Sequence, residues 1–265
     1  MRVIAVVVVG GSIVNDARLY YSWFSQRTYG IRDANRDMAE LLGPNAVVSG
    51  QIGPAITGGT QVKSFQLFVR LPLTECEPLL REYPITHLAL PASLWRSLKK
   101  ENPELESAPI IARFWLRDNI NYVVPVYDKF GNKQATNYQP TLFEQAARLM
   151  STGGTVPPDS LLREFLKTHP SNRTARVYLY HWLAHIGKID ECGPLVEKLV
   201  AEYPTDFSVN ILAAIYYRTI SGLSGDQSLL SKAAVYLDQA IRYNPVNEDV
   251  LRRMYVTSTP DMMTI

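Results

Sequence analysis

Three Xaa-Pro steps recur in the second half of the chain, His169-Pro170, Tyr203-Pro204 and Asn244-Pro245, each closing a stretch whose apolar residues fall on one helical face. The prolines stand 34 residues apart (170 to 204) and then 41 (204 to 245). A period of this length constrains the fold more than any single motif. Each repeat is one helix pair that cannot bury its apolar face alone and must stack on its neighbours.

Residues inside the period agree with that frame. In Gly187-Lys188-Ile189-Asp190-Glu191-Cys192, Gly187 supplies the left-handed backbone that ends one helix, and Cys192 supplies the small side chain where the pair touches. In Ala233 to Pro245, Ala233 and Ala240 hold small positions and Leu237 a large one. The longer second interval predicts an enlarged turn at Ser221 to Ser228. Upstream, Thr141-Leu142-Phe143-Glu144 is a capping box opening a helix to about Met150, and Asp159 starts another ending near Thr168, a degenerate first unit. Asn247 to Tyr255 reads as a capping helix, and Ser258 to Ile265 as loose.

These residues resemble tetratricopeptide repeats. The resemblance implies antiparallel helical hairpins whose first helices line a concave groove that takes a protein or peptide. By position, Thr174, Val177, His181, Ala184 and His185 face the groove in one unit, and Ser208, Ile211, Ile215, Arg218 and Thr219 in the next. His181 and His185 share a helical face as two metal ligands would, but Trp182 stands where the HExxH motif needs glutamate, and no third ligand is apparent. No metal or cofactor is expected.

Residues 25–137 read differently. Ile31, Ala34, Met38, Leu41 and Leu42 lie on one face of a helix that Gly43-Pro44-Asn45 ends. Strands are predicted at Ala46 to Ser49, Ser64 to Val69, His87 to Leu90, Ile110 to Arg117 and Ile120 to Tyr127, with a Gly/Pro-punctuated loop from Gly50 to Thr60. Helices are predicted at Glu75 to Tyr83, behind the capping box Thr74 to Glu77, and at Ser93 to Lys100. The alternation predicts a small α/β sandwich with a mixed sheet. Asp33 and Asp37 stand among Arg32 and Arg36 and read as local charge pairs. His87, in an apolar strand, reads as a hydrogen-bonded structural histidine rather than a base.

The string IRDANRDMAELLGPNAVVSG, followed by Pro54-Ala55-Ile56-Thr57 and later by YPITHLAL and FWLRDN, resembles the soluble region after the last transmembrane helix of polytopic membrane glycosyltransferases of the dolichyl-phosphate-mannose mannosyltransferase type. The resemblance runs from about Arg2 to Tyr127. It implies lipid-linked sugar donors for the whole enzyme, and a catalytic acid in a polytopic region that nothing in this chain matches. The chain alone is therefore expected to be non-catalytic, an extracytoplasmic, membrane-associated accessory region.

The N-terminal segment, residues 1–24, fits that expectation. Val3 to Val14 is a continuous apolar run of 12 residues, short for a bilayer span of about 20. A signal peptide, a buried strand and the outer end of a truncated transmembrane helix are the three readings. The third is preferred, with Leu19 to Phe24 as an aromatic belt and the segment as the membrane contact.

The organisation expected is thus a hydrophobic segment (1–24), an α/β domain (25–137) and a helical repeat domain (138–265). A net charge of +2, with Lys99-Lys100 and Arg252-Arg253 as isolated pairs, gives no footprint for nucleic acid. Cys76 and Cys192 show no CxxC spacing. Gly10-Gly11-Ser12 lacks the rest of a nucleotide-binding fingerprint, and no GxSxG elbow is present. Asn172-Arg173-Thr174 is a glycosylation sequon. Two other readings stay open: a free-standing repeat adaptor with an α/β head, and an enzyme with a polar pocket between the modules near Tyr127 to Pro140.

Overall fold

The computed structural model describes residues 30–66, 73–116, 119–131, 133–152 and 157–257. The N-terminal segment and its membrane reading, Gly10 to Ser12, the tail from Ser258 and part of the turn at Asp118 lie outside the described residues.

The first helix, α1 (Gly30–Leu41), buries Ala34, Met38 and Leu41, as its periodicity requires, while Ile31 is exposed. It also buries Asp33 and Asp37, which the apolar pattern does not flag. Then come β1 (Val47–Ser49), α2 (Gly53–Thr57), β2 (Lys63–Phe65), α3 (Leu73–Glu82), β3 (His87–Pro91), α4 (Ala92–Glu101), β4 (Ala112–Leu116) and β5 (Asn119–Pro125). Helix α2 replaces the middle of the loop predicted at Gly50 to Thr60. Pro54 sits in its first turn, where a missing N–H costs nothing, and the Thr57 hydroxyl donates to the Gly53 carbonyl at 2.9 Å.

The strands form one five-stranded sheet in the order β2-β1-β3-β5-β4. β1 pairs in parallel with β2 and β3, while β5 is antiparallel to β3 and β4, the mixed sheet that the sequence predicts. Alternation places the two faces in different cores. Leu88, Leu90 and Val124 join Trp95 and Leu98 of α4 on one side. Ala89 and Val123 join Met38 and Leu41 of α1 on the other.

After the short α5 (Lys133–Thr136) the chain is helical: α6 (Leu142–Thr152), α7 (Pro158–Thr168), α8 (Arg173–His185), α9 (Ile189–Glu202), α10 (Phe207–Ser224), α11 (Ser228–Tyr243) and α12 (Glu248–Thr257). Gly187 takes φ +75° between α8 and α9, and Cys192, Ala233 and Ala240 are fully buried, the left-handed helix end and the small contact positions expected of them. The enlarged turn does not form. The added residues extend α10 to 18 residues, and Gly225 at φ +75° ends it, with the Ser224 hydroxyl donating to the Ile220 carbonyl in its last turn.

The core on the α1 face of the sheet continues through Tyr138, Phe143 and Phe165 into Tyr178, Leu183, Leu199, Leu212 and Ala233. One apolar cluster therefore runs through both predicted modules.

Candidate functional site: the junction of sheet and helical array

Two buried polar networks join the array to the α/β layers. The first centres on Asp37, which has no solvent exposure. Its Oδ2 accepts from the Thr174 hydroxyl at 2.6 Å, from Arg173 Nε at 3.2 Å and from the Thr174 backbone N–H at 3.3 Å. That N–H belongs to the first turn of α8, so Asp37 of α1 occupies the anion-accepting N-terminal end of that helix. The Arg173 guanidinium donates onward to Asp206. Asp206 Oδ1 in turn caps α10, accepting from Ser208 N at 2.8 Å and Val209 N at 3.2 Å.

Asn172 works twice. Its carbonyl oxygen caps α8 by accepting from Ala175 N at 2.9 Å, and its amide donates to Glu40 Oε2 of α1 at 2.9 Å. The sequon Asn172-Arg173-Thr174 is thus wholly interior, each residue less than a tenth exposed. The expected local pairing of Arg36 with Asp33 and Asp37 is present but long, at 3.6 and 3.9 Å; the stronger partner of Asp37 comes from the array.

Electrostatics follow from this packing. Burial disfavours charge on Arg173, but Asp206 and Asp37 outweigh it and hold the guanidinium protonated. Burial likewise opposes the Asp206 carboxylate, yet Arg173 and the Ser208 and Val209 donors bring it below the usual carboxylate range.

The second network centres on Glu144 in the first turn of α6. Its Oε2 accepts from Tyr138 OH at 2.8 Å and Thr141 N at 2.9 Å, and Thr141 Oγ1 accepts from Glu144 N at 3.2 Å, closing the predicted capping box. Its Oε1 lies 3.0 Å from His87 Nε2, and His87 Nδ1 lies 2.8 Å from Thr86 Oγ1. Tyr138 OH also accepts from Gly43 N at 2.6 Å. Burial, then Glu144, raises the Tyr138 phenol, and burial lifts neighbouring Tyr127 to about 12. Where the enzyme reading asks for an open polar pocket near Tyr127 to Pro140, these residues form a buried network instead. His87 and Glu144 are buried within it, so it braces α6 on β3 and offers nothing to a dissolved substrate.

The predicted groove residues do not share one open surface. Thr174 is engaged with Asp37, and Val177 packs on the main core. Ile211 and Ile215 are buried with Phe207, Leu237 and Leu251, against Trp115 of β4 and Tyr255 of α12. Trp115 meets Phe207 edge-on at 5.7 Å between ring centroids. The Arg218 guanidinium lies 5.2 Å from the centre of the Tyr255 ring. His181 is partly buried beside Tyr180, whereas His185 is exposed with Trp182 at 5.8 Å. The array's first helices thus face the chain's own sheet layers and its last helix. No group of three metal-ligating side chains occurs among the described residues.

Asp37, Glu40, Asn172 and Asp206 were not singled out as a set by the sequence motifs, although two signals pointed to them. Asp37 falls on the same stripe of α1 as Ala34 and Leu41. Asn172 and Asp206 stand 34 residues apart, one repeat period, at matching helix starts. No protein-family model matches the chain, and neither curated proteins nor solved structures give a significant match.

Proposed function

We propose that this chain is the non-catalytic, extracytoplasmic accessory region of a membrane glycosyltransferase that uses lipid-linked sugar donors, with the helical array as its tetratricopeptide-like docking element. One observation carries the non-catalytic part. Among the described residues, the ionisable groups with the most convergent geometry, Asp37 with Arg173 and Asp206, and His87 with Glu144, are buried against one another, which supports a structural role for them. The transferase assignment rests on the resemblance of residues 31–57 and of YPITHLAL and FWLRDN.

On this reading the array first holds the α/β domain. A protein or peptide partner meets it at the edge left open around Trp182, His185 and Ile186, the last an exposed isoleucine. On this reading membrane attachment belongs to residues 1–24, which carry the apolar run Val3 to Val14; no helix among the described residues is long and apolar enough to cross a membrane.

Fractionation tests the proposal. A tagged chain expressed in its native cells is expected in washed membranes, with residues 25–265 open to protease added from the extracytoplasmic side. Recovery as monodisperse protein in the aqueous fraction would sink the membrane reading in favour of a free-standing adaptor.

A further inference from the structure

Helix α4 carries its charge on one side. Trp95 and Leu98 are buried beneath it, and its exposed flank presents Ser93, Arg96, Ser97 and Lys100 at spacings of three and four residues, with Lys99 beside them. After Asn102 the chain doubles back through a single 3-10 turn, Pro103–Leu105, pinned by Leu105, which is wholly buried with Trp95 and Leu98. A cleft of about 640 Å³ lies between helix and turn, lined by those five polar residues, Pro103 and Glu106. Lys99 Nζ lies 5.9 Å from the centre of the Trp95 ring, and Arg96 Nε donates to the Ala92 carbonyl at 3.4 Å. Among the described residues no carboxylate pairs with Arg96, Lys99 or Lys100, whereas the surface cations Arg163, Lys167, Lys188 and Arg252 each reach one. Arg96 and Lys100 also stand four residues apart on one face, a spacing at which like charges weaken a helix. An anion in the cleft removes that repulsion.

We propose that the cleft beside α4 binds the phosphoryl group of an anionic ligand, with Arg96 as the forked donor and Lys99 and Lys100 as flanking charges. The inference does not depend on the transferase reading. Three cations against the single carboxylate of Glu106 leave an excess of positive charge that a phosphate ester, close to a dianion at about pH 7.5, neutralises. Ser93 and Ser97 add neutral donors, since the Ser97 hydroxyl is engaged only at a long 3.4 Å, with the Ser93 carbonyl. The cleft is larger than a phosphate ion and lies in the range of small-ligand sites, which leaves room for the moiety that the phosphoryl group carries. Its basic stretch suits one such group and is too short for a nucleic-acid backbone. A soluble phosphate ester and a phospholipid headgroup share this chemistry.

The test compares the full chain with its Arg96→Gln/Lys100→Gln variant and, as a control on α12, with Arg252→Gln/Arg253→Gln; all four positions are exposed. Glycerol 3-phosphate is titrated at about pH 7.5 and constant ionic strength, and its affinity is read from the rise in melting temperature. In parallel, each chain is sedimented with phosphatidylcholine vesicles made with and without phosphatidic acid. Residues 1–24 are common to all three chains, so their apolar run does not distinguish them. Affinity for the phosphoryl probe should fall about tenfold for each α4 cation removed and stay at the parent's value in the control. That result with glycerol 3-phosphate identifies a soluble ester as the source, and the same result confined to the phosphatidic acid vesicles identifies a lipid headgroup. No response of the parent to either probe, or a response that the α4 variant keeps or that the control loses equally, would overturn the proposal.

Discussion

Asp37 and its three donors place a charge with no solvent exposure between two parts of the chain that lie more than 130 residues apart in sequence. Removing one member of a buried, hydrogen-bonded ion pair leaves the other unpaired, which costs about 3 to 5 kcal/mol. Asp37→Asn should therefore lower the urea midpoint of the full chain sharply, since Arg173 loses one of its two anions. Thr174→Val removes a single hydroxyl donor and should cost about 1 to 3 kcal/mol. Equal and small effects of the two substitutions, read by urea unfolding, would mean that the junction is not held at Asp37. His87 shows what a single-residue reading supplies: its apolar strand identified a structural histidine, and the hydrogen bonds to Thr86 and Glu144 are of that kind. The identity of its partner 57 residues away was not legible, because side-chain pairing across elements has no local signature.

Among the elements, the turn after α1 shows why sequence rules carry only part of the account. Gly43-Pro44-Asn45 announces a helix end, and α1 does end there. The tighter requirement on Gly43 is contact: a Cβ at this position would stand 2.9 Å from the Gln139 carbonyl oxygen and 3.0 Å from Tyr138 OH. Gly43→Ala must push the approach to α6 outward and disturb the Glu144 network, an overpacking cost of about 1 to 3 kcal/mol. A thermal melt of the variant indistinguishable from that of the parent would contradict this. Helix pairs, capping boxes and the small positions at Cys192, Ala233 and Ala240 were legible because they depend on spacing along one or two helices. The groove was not. Whether Ile211 and Ile215 face solvent depends on where Trp115 and Tyr255 pack, and those arrive from a strand and a helix far away in sequence. Likewise the longer second interval could be counted, but the count alone does not say whether it enlarges the turn or lengthens α10.

For the whole molecule, the expectation of separate modules meets one continuous apolar core running from α1 and the sheet into α11, reinforced by two buried polar networks. Such a core predicts that the α/β layers and the helical array unfold together. That cooperativity makes the array's first helices a cradle for the chain's own sheet, where an open groove would leave them independent of it. Two full-chain variants test it, one keeping only Trp95, buried under the sheet, and the other only Trp182 in α8, with the remaining tryptophans replaced by phenylalanine. Urea unfolding followed by the fluorescence of each should give coincident midpoints and slopes once each curve is referenced to that variant's own circular dichroism. A Trp182 transition separated from that of Trp95 would show that the array and the sheet unfold independently, and would contradict the account.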